Sequence, residues 1–217
     1  LSLHDALPIL ILIRWIYISI IRGEKVRELK GIEERILDRA LYLFGKNGSS
    51  NVPIRAISKE AGVNVSAINY YFGSKDEMVK NVQAFYIENV VSAYSELDNE
   101  ELSDEEKLIL CANEIMEYAL RYPGIFVMQK EAAASYEYDE IAKKIIDVTE
   151  SMNKKLDEIL KRVVKGSRNE FSYIKMIFLS SIIYPTTDFS TADLNNQLIT
   201  NKEGRIKYIK YILSILR

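Results

Sequence analysis

Residues 54–78 read IRAISKEAGVNVSAINYYFGSKDEM, and this stretch decides the fold. Pro53 suits the first position of a short helix, because its fixed backbone angle is preorganised for helix and its missing N–H is not needed there. Gly62 permits a tight turn, and Asn64 is a good N-cap for a second short helix that ends near Phe72. Two short helices joined by a glycine-containing turn predict a helix-turn-helix unit.

Longer helices are predicted on both sides of this unit. From Leu29 to Lys46, apolar residues recur at helical spacing before two glycines end the helix. Its inward positions are Ile32, Ile36, Ala40, Leu43 and Phe44. After the unit, Ser74 caps a fourth helix that runs towards Leu97, and Glu77 stands where it would complete a capping box. The first three helices therefore form a small N-terminal domain, residues 28–75.

The N-terminal segment resembles the tetracycline-repressor (TetR) family of bacterial transcriptional regulators over about fifty residues. The resemblance is carried by RILDRALYLFGKNG, from Arg35, and then by the stretch quoted above. The matching residues, in order, are Arg35, Ile36, Leu37, Ala40, Leu43, Phe44, Gly48, Ile57, Ala61, Gly62, Val63, Tyr71, Phe72, Ser74 and Lys75. A lone AGV would be weak, but the joint match is specific. It implies an all-α fold and binding to double-stranded operator DNA.

The resemblance implies that the third helix, residues 64–72, enters the major groove. Val65 and Ser66 would then meet base edges, and Asn69 would bind a base or a phosphate. The remaining candidate DNA contacts are Asn64, on the same outward face, and Tyr70, Lys75 and Arg55, which would bind phosphates. Arg55 could equally be an ordinary solvated residue. At the cap of the second helix the family usually has Ser or Thr, where Val52 stands here, and in the third helix it commonly has an aromatic residue, where Asn69 stands here.

The rest of the chain also reads as helices, because apolar residues recur every three or four positions and no period-two strand pattern stands out. The predicted segments are a helix that begins at Ser103 with Glu106 completing its capping box, a break at Pro123-Gly124, helices at 125–135, 139–164 and 169–184, a polar loop from Pro185 to Asn201, and a last helix that carries Ile206 to Leu216. Residues 76–217 are predicted to form one helical domain.

By analogy with the family, this second domain binds a small-molecule effector and forms a homodimer. Candidate pocket residues are Tyr86, Asn89, Met116, Phe126, Tyr136 and Met152. The alternative is that this set of methionines and aromatics is plain core. The helix at 169–184 is apolar nearly all round, so it needs more than one neighbour. Candidate dimer-interface residues are Ile174, Phe178, Ile182, Ile209 and Leu213.

Composition excludes several other classes of protein. Residues 29–80 hold eight Lys and Arg against six Asp and Glu, whereas residues 81–217 hold 17 against 22. A mildly basic N-terminal segment on an acidic body is compatible with nucleic-acid binding. One cysteine, Cys111, and one histidine, His4, leave no disulfide, metal site or catalytic dyad, and fit a cytoplasmic protein without a cofactor. The sequence lacks the residue sets that an enzyme active site needs, so we do not expect an enzyme. The remaining alternative is a helical protein-interaction or structural protein.

The first 27 residues are set apart from the fold. The opening LSLHDALPI resembles translated sequencing-adapter DNA, and the apolar run Ile9–Ile21 is shorter than the roughly 20 residues that cross a bilayer. We expect residues 1–9 to be foreign sequence and residues 10–27 to be translated non-coding sequence, so that this leader, residues 1–27, is dispensable. The alternative is a short anchor on a membrane surface.

Overall fold

The computed structural model describes residues 31–165, 170–187 and 199–217, and the described residues are helical without a strand. The all-α prediction is confirmed. The leader, residues 1–27, lies outside the described residues. The helices are α1 Ile32–Asn47, α2 Ile54–Ala61, α3 Val65–Phe72, α4 Lys75–Ala93, a short 3₁₀-helix Ser95–Asp98, α5 Asp104–Arg121, α6 Ile125–Ser135, α7 Glu140–Val163, α8 Phe171–Thr187 and α9 Lys202–Ile215.

Side-chain caps fix where several of these helices begin. The Asn64 side chain accepts a hydrogen bond from the Ser66 backbone N–H at 3.1 Å, so α3 begins as predicted. A full capping box joins Ser103 and Glu106 at the start of α5. The box predicted at α4 is only half formed: Ser74 accepts from the backbone N–H of Glu77, whose carboxylate instead accepts from Lys80 at 2.6 Å.

Two further predictions of local structure need correction. Pro53 is the N-cap of α2 rather than its first residue, and Val52, placed at that cap by the sequence, is buried. Pro185 lies inside α8 and does not begin a loop. Because proline has no N–H, it leaves the carbonyl of Ser181 without its helical donor, and the Tyr208 hydroxyl donates to that carbonyl at 2.7 Å. The predicted loop at 188–198 lies outside the described residues.

Buried side chains form two hydrophobic cores. The first holds α1 to α3 together and joins them to α4, α6 and α7. The second joins α5, α7, α8 and α9, and the fully buried Arg205 locks α9 to α5 by donating to Asn113 at 2.9 Å and to Glu117 at 2.7 Å. Ile32, predicted to face inward, lies at the exposed start of α1. Within the described residues, no helix is both long and apolar enough to cross a membrane.

Candidate DNA interface and internal cavity

The outer face of α3 is polar and exposed. Ile68 and Phe72 point into the first core, because apolar residues four apart share one face of a helix. This leaves Ser66, Asn69 and Tyr70 on the solvent side, with Tyr70 83% exposed. Hydroxyl and amide groups on an exposed short helix can reach both base edges and phosphates.

Two residues proposed for this surface are placed differently from the others. Val65 is half-buried at the start of α3, so only part of its side chain is accessible. The side-chain oxygen of Asn64 is engaged as the N-cap of α3. Arg55 is exposed on α2, and Lys75 lies half-buried at the first position of α4. The surface therefore presents one helix face flanked by cations from two neighbouring helices.

Asn51 is a member of this surface that sequence reasoning missed. Its side-chain oxygen accepts a hydrogen bond from the Lys75 ammonium at 2.9 Å, and both residues lie close to a helix N-terminus. The amide therefore holds the lysine beside α2 and α4, whose N-terminal dipoles also favour an anion. A polar residue just before Val52-Pro53 was the available signal, but the 24-residue separation from Lys75 hid the contact.

A cavity of about 170 Å³ lies among α4, α5, α6, α7 and α8. It sits where the two hydrophobic cores meet: Tyr86 belongs to the first core, whereas Tyr94 and Leu179 pack on the second. The lining residues are Tyr86, Asn89, Val90, Ala93, Tyr94, Ile115, Tyr118, Ala119, Ile125, Phe126, Gln129, Thr149, Asn153, Leu179 and Ile183.

The structure brings three of the six predicted pocket residues to this cavity, namely Tyr86, Asn89 and Phe126. The other three do not line it. Met116 is fully buried in the second core, Tyr136 is exposed beyond the end of α6, and Met152 is half-buried on α7, where the next residue, Asn153, lines the cavity instead. Hydrophobic periodicity predicts the inward face of a helix only to within one residue, and a shift of one residue turns a side chain by about 100° around the helix.

Neutral polar groups in the lining are hydrogen-bonded across helices. The Tyr86 hydroxyl on α4 accepts from the Gln129 amide on α6 at 3.0 Å, and the Tyr94 hydroxyl donates to Asn153 on α7 at 2.9 Å. Burial raises the pKa of both tyrosines above its usual value. Both hydroxyls therefore stay protonated and uncharged at neutral pH.

Close backbone packing connects the cavity region to α1. Gly45 and Gly124 let α1 approach the α5–α6 corner so closely that a Cβ on either glycine would overlap the other segment's backbone. Beside them, the fully buried carboxylate of Asp38 accepts from the Tyr122 hydroxyl at 2.7 Å and from Arg121 at 3.2 Å. This corner lies between Ala119 and Ile125, which both line the cavity.

A second contact joins α6 to the turn between α1 and α2. The carboxylate of Glu131, on α6, accepts from the backbone N–H of Ser50 at 3.0 Å. Because α6 also supplies Phe126 and Gln129 to the cavity, a displacement of α6 would affect both the cavity and the α1–α2 turn.

The predicted dimer-interface residues need correction. Phe178, Ile182, Ile209 and Leu213 are fully buried in the second core of their own chain, so they are not available to a second copy. Ile174 is partly buried against the same core. Exposed apolar side chains lie instead on the opposite faces of these two helices: Tyr173, Met176, Ile177 and Tyr184 on α8, and Tyr211 and Ile215 on α9.

Comparison with known proteins gives a matching family model, described as bacterial regulatory proteins of the tetR family, over residues 36–82. A Bacillus subtilis protein named "Probable HTH-type transcriptional regulator YttP" is 30% identical over 90 residues, which are 40% of this chain and 42% of that protein. The nucleoid occlusion factor SlmA of Vibrio cholerae is 24% identical over 129 residues, 59% of this chain. The matched part of the chain spans 42% of the length of the Bacillus subtilis protein and 66% of the length of SlmA, less than two thirds of either.

Solved structures extend the likeness to the whole fold. A TetR family transcriptional regulator from Bordetella parapertussis superposes with a TM-score of 0.63 at 15% identity, covering 84% of this chain and 94% of that chain. The TetR family regulator PfmR from Thermus thermophilus gives a TM-score of 0.59 at 19% identity, covering 83% and 97%. At such identities the likeness concerns the fold alone.

Proposed function

We propose that the chain, whose residues 36–82 match the model of the tetR family of bacterial regulatory proteins, is a DNA-binding transcriptional regulator, a repressor released from its operator by a small molecule. The observation that carries the proposal is the exposed polar face of α3, flanked by Arg55 and by the Lys75–Asn51 pair. Hydroxyl, amide and cationic groups lie together here on α2, on α3 and at the start of α4. A surface that binds nothing would not need this combination.

In this proposal the residues divide between phosphates and bases. Tyr70, Lys75 and Arg55 bind phosphates and set the position of α3 in the groove, whereas Ser66 and Asn69 contact base edges. Val65 adds apolar contact with a thymine methyl through its accessible part, and Asn64 acts mainly as the cap that orients α3.

Release of DNA is proposed to begin in the cavity. A ligand between α4 and α6 would move the α5–α6 corner, which is packed against α1 through Gly45 and Gly124. To shift the equilibrium, the ligand must bind the released form better, and couplings of about 1–3 kcal/mol are typical. The close backbone contact favours transmission because it leaves no soft side chain to absorb the movement.

The proposed operator is pseudo-palindromic and is read by a homodimer, which pairs through the exposed stripes on α8 and α9. Two copies of α3 would then contact successive major grooves on one side of the duplex.

The test is DNA binding by purified protein to the region upstream of its own gene, followed by footprinting at low salt without added compound. Tyr70→Phe and Lys75→Ala should weaken binding to all sequences about tenfold each, because each removes a contact to a charged phosphate. Changes at Ser66 or Asn69 should alter which bases are preferred. Affinity should fall steeply with salt, since a dimer making roughly 6–10 phosphate contacts releases that many counterions.

Matched controls are Tyr138→Phe and Lys144→Ala, which change the same residue types at exposed positions on other helices or turns. Both should leave affinity unchanged. A protein that protects no sequence at any salt concentration would contradict operator binding and favour a helical protein-interaction function.

A further inference from the structure

The side chains that line the cavity carry no formal charge. The described lining contains tyrosine, asparagine, glutamine and threonine but no Asp, Glu, Lys or Arg. We propose that this cavity binds an uncharged molecule of about one aromatic ring that carries a hydrogen-bonding oxygen or amide, and that it rejects cations and carboxylates of the same shape. This assignment rests on the proposed function only where it makes that molecule the effector.

Charge selectivity follows from the cost of desolvation. Moving an ion from water into an apolar site is very unfavourable unless an opposite charge or several hydrogen bonds replace its hydration. Two carboxylates of α5 are next to lining residues in the sequence but do not line the cavity: Glu114 accepts from the Asn113 amide at 3.2 Å, and Glu117 accepts from Arg205 at 2.7 Å. Asp157, on α7, is likewise outside the lining and is paired with Lys175 at 2.6 Å. The protonated Tyr86 and Tyr94 cannot supply a negative charge either. An ammonium or carboxylate ligand would therefore enter without a counter-ion.

The polar groups of the lining suit a neutral ligand. Tyr86, Gln129 and Thr149 lie on three different helices and all line the cavity. The Tyr86 hydroxyl accepts from the Gln129 amide at 3.0 Å, and the Thr149 hydroxyl donates to the carbonyl of Ile145 at 2.7 Å. These hydroxyl and amide groups can each donate or accept, so one ligand oxygen or amide could join their network. Apolar and aromatic side chains also line the cavity, among them Ile115, Ile125, Phe126, Leu179 and Ile183.

The volume limits the ligand to about one ring. An apolar cavity of roughly 150 Å³ in another protein accommodates benzene, and the cavity here measures about 170 Å³. A substituted benzene therefore fits without rearrangement, whereas a multi-ring molecule requires the five helices to separate.

Benzamide, benzoate and benzamidinium test the proposal directly, because they have nearly the same shape but are neutral, anionic and cationic at pH 7. Each is titrated into the full chain without DNA by isothermal calorimetry at up to millimolar concentration. We expect benzamide to bind and both ions to bind about tenfold more weakly or not at all. Equal or tighter binding of either ion, or no binding of benzamide, would overturn the proposal.

Substitutions in the lining locate the binding event. Gln129→Glu puts a negative charge in the cavity and should reverse the preference, so that benzamidinium binds more tightly than benzamide. Gln83→Glu makes the same change on α4 outside the lining and should leave the order unchanged. Ala93→Leu and Ala119→Leu fill the cavity from two different helices, and a folded variant of either kind should lose benzamide binding. Retained binding in both would place the site elsewhere and overturn the assignment.

Operator affinity is measured separately, with and without benzamide at saturation. If benzamide binds with the expected selectivity but operator affinity does not change, the ligand class stands and the effector role fails. If the chain binds no DNA, the calorimetric series still decides the ligand class on its own.

Discussion

Asp38 is a carboxylate with no exposed surface, and its surroundings explain why it is tolerated. It accepts from Arg39 Nε at 2.6 Å, from the Tyr122 hydroxyl at 2.7 Å and from Arg121 at 3.2 Å. A buried charge is strongly unfavourable unless its hydrogen bonds are replaced, and here donors from α1 and from the α5–α6 corner replace them together. Separating the two segments would expose or orphan the carboxylate. The residue thus ties α1 to the part of the chain that lines the cavity.

Tyr122→Phe is expected to lower the free energy of unfolding by about 1.5–3 kcal/mol, because it removes one hydrogen bond to a buried charged group while keeping the ring. Urea unfolding at pH 7 measures the change. Tyr118→Phe is the matched control: its ring packs on Tyr122 with centroids 6.0 Å apart, but its hydroxyl meets only Ser92 at 3.4 Å, so it should change stability by less than about 0.5 kcal/mol. Equal losses in the two variants would contradict this role of the Tyr122 hydroxyl.

The Cys111 thiol should be inert in the folded chain. It is fully buried in the second core, and burial raises its pKa above the usual value, with the carboxylates of Glu114 and Glu96 adding to the effect. The reactive thiolate is therefore both scarce and inaccessible at pH 7–8. Reaction with a disulfide reagent should be at least about 1,000-fold slower in buffer than in denaturant, reflecting the small unfolded fraction. Rapid reaction in buffer would show that α5 opens locally.

The close approach of α1 to the α5–α6 corner depends on two glycines. In an ordinary helix interior, replacing Gly45 by alanine would stabilise the chain by about 0.5–1 kcal/mol. Here the added methyl group would overlap the backbone of Pro123 and Gly124, and neither backbone can rotate away as a side chain could. Helix propensity therefore predicts that Gly45→Ala raises the free energy of unfolding, whereas tertiary packing predicts that it lowers it.

Gly45→Ala is expected to destabilise the chain by about 1–3 kcal/mol, because overpacking against a backbone forces the two segments apart. Thermal or urea unfolding shows directly whether the variant is more or less stable than the unmodified chain. Ala84→Gly at an exposed position of α4 measures the propensity effect alone and should cost about 1 kcal/mol. A stabilised Gly45→Ala variant would mean that the two segments are not in close contact in solution.

Local signals in the sequence predicted the helices better than the partners of those helices. Pro123-Gly124 and Asn64 act within a few residues, and the helices beside them, α6 and α3, begin where predicted. The faces of α8 were not predictable, because that helix is apolar nearly all round and its buried side depends on α5 and α9. At Pro185, inside α8, the donor that proline lacks is replaced by the hydroxyl of Tyr208, which is 27 residues away from the acceptor Ser181.

The same distinction applies to the candidate site. The outward residues of α3 follow from helix periodicity and a cap, so the sequence could place them on one face. Asn51 beside Lys75, and Gln129 beside Tyr86, are contacts between helices that only the folded chain brings together. Three of the six predicted pocket residues do not line the cavity, because periodicity fixes neither the exact inward face of a helix nor the helices that this face meets.

At the scale of the whole molecule, the candidate DNA face and the exposed apolar stripes lie on different helices. The DNA face is built on α2, α3 and the start of α4, whereas the stripes lie on α8 and α9, which pack against each other. One surface can therefore bind DNA while the other binds a second copy. The cavity is lined both by α4, whose start is part of the DNA face, and by α8, which carries one of the stripes.

The stripes on α8 and α9 should hold the proposed homodimer together. Ile177→Asp or Ile215→Asp places a charge on an exposed apolar face and should yield folded monomers at micromolar concentration in sedimentation velocity, since neither residue belongs to the subunit core. Phe178→Asp would instead charge a fully buried core position and should unfold the domain, which separates assembly from folding.

Loss of the dimer should also weaken operator binding by about 100-fold or more, because the two α3 helices no longer bind half-sites as a linked pair about 34–36 Å apart. Tyr138→Asp is the control, because Tyr138 is 79% exposed but lies between α6 and α7, away from both stripes. It should leave assembly and DNA affinity unchanged. If the unmodified chain is monomeric at micromolar concentration and still binds a pseudo-palindromic operator tightly, spacing by a C-terminal dimer cannot explain recognition, and each α3 must bind its half-site independently.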